Sequence, residues 1–129
     1  MPYTCDWLIP NRVVLMRFEG EISTADVIEA YHTLRPYCAQ VSDGQFHICI
    51  DVQGVNAYTQ EIVRLRNKIR LGELDKYGWI TIIGHNPVAI YSITTLCHML
   101  HLHFRVFSIA EAAMDFLVQQ DATLKTYTS

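Results

Sequence analysis

Residues 78–84, Gly-Trp-Ile-Thr-Ile-Ile-Gly, form a strand-length apolar run with almost no polar alternation. A strand of this kind cannot sit with one face in water. It belongs in the interior of a sheet whose two faces are both covered, as in parallel α/β architectures. The rest of the chain supplies what such a sheet needs. Thr4 to Ile9 and Arg12 to Phe18 are rich in β-formers, and the turn dipeptide Pro10-Asn11 separates them, which predicts an antiparallel hairpin ending at Gly20. Phe46 to Val52 reads as a third strand and Phe104 to Phe107 as a brief fifth.

Helical signals fall between these runs. Ser23 followed by Asp26 has the capping-box spacing, and Val27, Tyr31, Leu34 and Cys38 recur on one helical face. Pro36 is expected to kink or end that helix, since it lacks an amide hydrogen and collides with the preceding turn. A second helix is expected over about 59–76 with Ile62, Leu65 and Ile69 inward. Asn86 and Pro87 predict a third, capped by Asn86 and burying Ala89, Ile93, Leu96 and Leu100. Ser108 and Glu111 predict a second capping box, opening a helix to about Gln120. The order is β-β-α-β-α-β-α-β-α. It implies one α/β domain over residues 1–129, with a mixed, mostly parallel sheet of about five strands, right-handed crossovers and four helices. The polar tail from about residue 121 to 129 is expected to fray.

Composition narrows the function classes. Half the residues are apolar and 18% are charged, ordinary for a globular chain. A formal net charge of -3 argues against a nucleic-acid binder, which normally carries a basic excess. Cys5, Cys38, Cys49 and Cys97 form no CxxC pair and three lie in apolar periodic segments, so reduced, buried thiols are expected. The opening MPYTCDWLIPNR lacks a basic region followed by a long apolar one, so no secretory signal is predicted. The longest mostly apolar segment, Val88 to Leu102, is interrupted by Ser92, Thr94, Thr95, His98 and His101 and is too short to span a bilayer. A cytoplasmic protein is the expectation.

Three stretches invite chemistry. Asp51 follows an apolar strand and precedes a turn around Gly54, where a receiver domain keeps its phosphorylated aspartate. That chemistry also needs carboxylates to hold a divalent cation, a hydroxyl after a later strand and a lysine after the last. Glu19 and Glu21 are the only acids near the strand end where they would be needed, Gly84 ends the fourth strand, and the fifth carries no lysine. Asp51 is therefore expected to accept backbone hydrogen bonds from its own turn. His98, His101 and His103 have the spacing HxxHxH without the glutamate of HExxH, and imidazoles in a last helical turn favour its negative end, so no metal site is assigned. Arg64, Arg66, Lys68 and Arg70 spread over two flanks of a helix, either a solvated face or a docking flank for an acidic partner. No P-loop, GxGxxG or GxSxG is present, so no cofactor and no enzyme class is implied.

With these elements in order, the chain resembles the STAS family, within it the SpoIIAA-like group of anti-sigma-factor antagonists. VVLMRFEGEIS resembles the family's second strand, CIDVQGV its third strand and turn, ITIIGHNPVAIYSITTL its apolar strand, Asn-Pro turn and helix, and FRVFSIAEAAMDFL its closing strand and helix. The resemblance implies a non-enzymatic regulatory module that meets a protein partner through the loop after the third strand: Asp51, Gln53, Gly54, Asn56, Tyr58, Thr59 and Gln60. Asp51, Val52 and Val55 match the family's loop pattern, but Gln60 stands where phosphorylatable members have serine, and glutamine cannot accept a phosphoryl group. Thr59, one residue earlier, reads as the helix cap. Three further readings stay open. Helices bearing Tyr58, Tyr91 and Met99 could part around a small apolar or lipid-like ligand, although core packing explains such residues as well. Asp51 with a nearby histidine could serve an enzyme. The unpaired edge of the opening hairpin could support a homodimer.

Overall fold

The computed structural model describes residues 2–42, 44–58, 67 and 75–125. Five strands form one sheet in chain order: β1 (Tyr3–Ile9), β2 (Val13–Ile22), β3 (Phe46–Tyr58), β4 (Tyr77–Ile83) and β5 (His103–Phe107). β1 is antiparallel to β2, and the remaining three pairings are parallel. Three α-helices lie among the described residues: α1 (Thr24–Ala39), α2 (Pro87–Met99) and α3 (Ala110–Gln120), followed by a 3₁₀ turn at Ala122–Leu124. The helix expected over 59–76, with its face of Ile62, Leu65 and Ile69, falls almost wholly outside the described residues.

Alternation along the strands divides the core in two. Val14, Met16 and Phe18 on β2, Ile48 on β3 and Ile80 and Ile82 on β4 pack with Ala30 and Leu34 of α1 and Ala89 and Ile93 of α2. The intervening residues Val13, Cys49 and Ile83 point to the other face, where Ala113 and Leu117 of α3 meet them. Parallel strands laid down in chain order require right-handed crossovers in one direction, which places α1 and α2 on the same face and leaves the opposite face to α3.

Local signals account for most helix ends. Ser23 Oγ accepts from the Asp26 amide at 3.2 Å, and Asp26 Oδ2 accepts from the Ser23 amide at 2.9 Å, completing the expected capping box. Asn86 Oδ1 accepts from the amides of Val88 and Ala89, as a cap should. The second expected box does not form. Ile109 takes the cap position of α3 without a side-chain bond, so the helix starts one residue later than the Ser108 spacing implied. Pro36 neither ends nor shortens α1, which continues to Ala39. It removes a single amide near the last turn, where the loss is smallest.

β3 is longer than its sequence predicts. The expected turn at Gly54 is strand, and pairing with β2 continues to Tyr58 opposite Ile22. Two register slips allow this. β3 gains one residue between the pairs Arg17–Asp51 and Glu19–Gly54, and another between Gly20–Val55 and Glu21–Ala57. Such bulges bend a strand and increase its twist. Gly20, at φ 77°, gives β2 its matching bend.

The chain from residue 121 is anchored, contrary to the expected fraying, as far as Lys125. Leu124 is fully buried against the α3 face. Asp121 Oδ2 accepts from Arg12 Nη2 at 2.6 Å and lies 2.8 Å from His47 Nε2. Arg12 also donates to Thr123 Oγ1 at 2.9 Å and, through Nε, to the Gln45 carbonyl at 3.3 Å. A buried arginine from the β1–β2 turn and a buried histidine from β3 thus meet one carboxylate at the end of α3.

Candidate functional site at the carboxyl end of the parallel strands

The parallel strands β2, β3 and β4 point their carboxyl ends to one side of the sheet; β4 stops at Ile83 opposite Asp51, while β2 and β3 run on as a pair to Ile22 and Tyr58. Asp51, the residue the sequence singled out, is buried there. Its Oδ1 accepts from the Gln53 amide at 2.9 Å and its Oδ2 from Arg17 Nε at 3.1 Å. Arg17 is its cross-strand partner and is about half exposed. The carboxylate therefore fixes the first bulge of β3 and pairs across the ladder, and no histidine bonds to it. The expectation that Asp51 serves its own backbone holds, with a bulge in place of a turn.

Beyond Asp51 the bulges break the strict alternation of the strand. Val52 and Val55 are buried, while Gln53, Gly54, Asn56 and Ala57 are exposed. Tyr58 closes β3, and its side chain lies outside the described residues, as do Thr59, Gln60, Arg64, Arg66, Lys68 and Arg70. Asn67, between those cations, is exposed. The end of β3 is stitched to α2 by Asn86, whose Nδ2 donates to the Val55 carbonyl at 3.2 Å. Gly84 lies over the same strand. A Cβ there would come within 2.8 Å of a Val52 methyl, so the connection from β4 to α2 approaches β3 as closely as only glycine permits.

The stitched corner carries exposed apolar side chains that the sequence reading did not place. Val88 is 57% exposed and Tyr91 70% exposed. They share the outer face of α2, three residues apart. Tyr91 is therefore no core residue, and the ordinary packing first assigned to it is corrected. Val106 and Ile109, at the end of β5 and after it, are also exposed. The signal was present in the spacing. Ala89, Ile93 and Cys97 set the buried stripe, and Val88 and Tyr91 fall off it.

His98, His101 and His103 are not brought together, and among the described residues no three histidine, cysteine or acidic side chains group as metal ligands. His98 is exposed in the last turn of α2. His101 adopts φ 57°, donates its amide to the His98 carbonyl at 3.2 Å, and is followed by Leu102, whose amide reaches the Cys97 carbonyl at 2.9 Å. This is the Schellman arrangement, with histidine in the left-handed position usually held by glycine. His103 sits on β5 with its ring 5.3 Å from that of Trp79.

The four cysteines all lie among the described residues and none forms a disulfide. Burial pushes the Cys97 thiol up to about 12 and that of Cys49 up to about 11, so both stay protonated and weakly reactive. Cys97 borders a narrow apolar cavity of about 100 Å³ between α1, α2 and the sheet, lined among others by Phe18, Leu34, Ile50, Ile93 and Leu96. The β1 edge is partly occupied. Tyr37 Oη donates to the Cys5 carbonyl at 3.0 Å, and the Trp7 amide donates to Asp6 Oδ1 at 2.8 Å, so two polar groups of the edge strand are already bonded within the chain.

No family model matches the sequence, and no curated protein matches it. Solved structures do. One is a protein of the DUF3478 family with a SpoIIAA-like fold from Shewanella loihica, 14% identical, with a TM-score of 0.62 over 89% of this chain and 91% of that one. Another is the anti-sigma factor antagonist SpoIIAA in its unphosphorylated form, 14% identical, with a TM-score of 0.57 over 89% of this chain and 95% of that one. At this identity the likeness is one of fold. The chain has a SpoIIAA-like fold.

Proposed function

We propose that this chain is a non-enzymatic regulatory module of STAS type, one domain over residues 1–129, which meets a protein partner in the cytoplasm through the carboxyl end of its parallel strands. The observation that carries the reading is the exposed pair Val88 and Tyr91, tied by Asn86 to the exposed residues Gln53, Gly54 and Asn56 of β3. Exposed aromatic anchors flanked by a polar rim are what interface centres are built from. The surface extends in this reading through Tyr58, Thr59 and Gln60 to the cations Arg64, Arg66, Lys68 and Arg70, which would meet an acidic partner surface. Gln60 replaces the switch serine, so binding is not gated by phosphorylation there. Catalysis has little support. Asp51 is committed to Arg17 and the Gln53 amide, and the buried thiols Cys49 and Cys97 are held protonated.

The test places a photo-crosslinking amino acid at Asn56 or Tyr91 in the native host. Partner binding reconstituted with the captured protein should weaken at least tenfold on Tyr91→Ser or Arg66→Glu, with the melting temperature unchanged. Crosslinking that captures no protein at either position would end this reading.

The cavity beside Cys97 favours a second reading, a small apolar ligand. Its lining is almost wholly apolar, although about 100 Å³ is below the usual 300–1,000 Å³ of ligand pockets, so α1 and α2 would have to part. Native mass spectrometry of protein from its own cells separates the two. A bound mass lost on denaturation selects the ligand; bare chains leave the partner.

A further inference from the structure

The sheet has two edges, and they differ. On β1 the Cys5 carbonyl is taken by Tyr37 Oη and the Trp7 amide by Asp6, so two polar groups of that edge are occupied from within the chain. β5 is the other edge. Its ladder with β4 is regular from the pair Trp79–His103 to the pair Ile83–Phe107. The Gly84 amide donates to the Phe107 carbonyl at 3.0 Å, so the backbone of Phe107 faces β4. Alternation along a regular strand turns the backbones of Arg105 and His103 the same way. It aims the N–H and C=O groups of Phe104 and Val106 away from the sheet. Among the described residues no hydrogen bond reaches Phe104 or Val106 from that side.

The side chains of β5 decide what can pair with it. Phe104 and Val106 align with Ile80 and Ile82 and lie on the face of α1 and α2, Phe104 partly buried against the core and Val106 exposed. Arg105 lies on the opposite face, with its guanidinium carbon 5.3 Å from the centre of the Phe116 ring of α3. Trp79 braces that ring edge-on at 4.8 Å. A cation over an aromatic face is held in place by the ring. Arg105 is exposed, and among the described residues no carboxylate pairs with it.

Unpaired strand edges take up strands, either from a second copy or from a foreign chain. Charge separates the two. The antiparallel two-fold pairing that uses both Phe104 and Val106 sets each opposite the other, and it sets Arg105 directly opposite its own counterpart. Like charges in that position are destabilising. A foreign strand with a carboxylate there meets attraction in place of repulsion. On the other face its two flanking residues lie beside Phe104 and Val106, where apolar side chains gain contact.

We propose that β5 is a docking edge for an extended segment of a partner protein, an acidic residue between two apolar ones, which adds to the sheet as a further strand. The backbones of Phe104 and Val106 bond the segment, Arg105 meets its carboxylate, and Phe104 and Val106 meet its apolar flanks. β4 lies between this edge and β3, so the surface is separate from the one at Asn56 and Tyr91, and either can fail without the other.

Titration of the whole ¹⁵N-labelled chain with the capped peptide Thr-Val-Glu-Val-Thr tests the edge, with Thr-Val-Lys-Val-Thr as control. Up to millimolar peptide, the amides of Phe104 and Val106 should move downfield and exchange more slowly with water. Those of Arg105 and Phe107, already turned to β4, should change little. The glutamate peptide should bind about fivefold more tightly than the lysine peptide, the difference between one cross-strand attraction and one repulsion. Arg105→Glu should invert that preference; if this variant does not fold, the neutral Arg105→Gln should abolish it. Silence at Phe104 and Val106, an equal response to the two peptides, or a preference unchanged in the Arg105 variant would each overturn the proposal. So would a dimer of the free chain, seen by sedimentation, that protects the same two amides.

Discussion

Asp121→Ala is the perturbation that the buried cluster after α3 should feel most. The carboxylate answers a guanidinium whose side chain is 8% exposed, and it accepts from an imidazole with no exposure. Removing it leaves Arg12 charged and buried, with only Thr123 and the Gln45 carbonyl to bond. Breaking a buried pair from one side costs about 3–5 kcal/mol, since the remaining charge keeps its desolvation cost without its partner. The unsatisfied Nε2–H of His47 would cost about 1–3 kcal/mol alone. The two losses share one carboxylate and do not add, so about 3–5 kcal/mol is the expected total. That is at least about a fifth of the roughly 5–15 kcal/mol typical of a domain. In urea, with a slope of about 1–3 kcal/mol/M, the midpoint should fall by about 2 M. Arg12→Met in the same chain should restore part of the loss by removing the stranded charge. A loss below about 1 kcal/mol in Asp121→Ala would contradict this pairing. It would mean that the segment after α3 is frayed, as its composition suggested, and that Arg12 finds water.

Further outcomes follow from the same geometry. Leu124→Ala should cost about 2.7–5 kcal/mol by chemical denaturation, the range for emptying a fully buried leucine site. Gly78→Ala should destabilise by about 1–3 kcal/mol or more, because the new methyl lies 2.5 Å from the His47 ring and must displace it; ¹⁵N shifts of the imidazole would report the displacement. His101→Gly should raise stability by about 1 kcal/mol, seen as a higher melting temperature, since φ 57° strains a side chain that glycine lacks. Because folding favours the neutral form of His47, stability should be full above about pH 6.5 and fall below it, by at most about 1.4 kcal/mol per pH unit, as far as the depressed folded-state pKa.

What the sequence disclosed follows from the range of the interactions concerned. The Ser23–Asp26 box and the Asn86 cap are bonds between residues two or three apart, and spacing alone reveals them. The buried strand β4 was legible because a run without polar alternation has one stable place in a sheet. The bulges of β3 were not, since a register slip depends on the neighbouring strand, and Gly54 reads as a turn until β2 is known to extend to Ile22 beside it. Ser108 shows the limit of a local rule. The sequence supports a cap at 108, but the path of the chain from β5 into α3 gives that position to Ile109.

The two carboxylates Asp51 and Asp121 make the same point about function. Asp51 stood out because it closes an apolar strand, and its bonds reach the next strand and its own turn of chain. Asp121 lay in a polar tail with nothing to mark it, while His47, 74 residues earlier, alternated with apolar neighbours as any strand residue would. A buried ion must be paired to be tolerated, so the fold that buries Arg12 has to bring a carboxylate to it, and the position of that carboxylate in the sequence is unconstrained. Long-range pairing of this kind makes the end of the chain part of the core. Local sequence context thus found the residue that shapes the candidate binding edge, and only the three-dimensional arrangement found the one that pins the segment after α3 to the sheet.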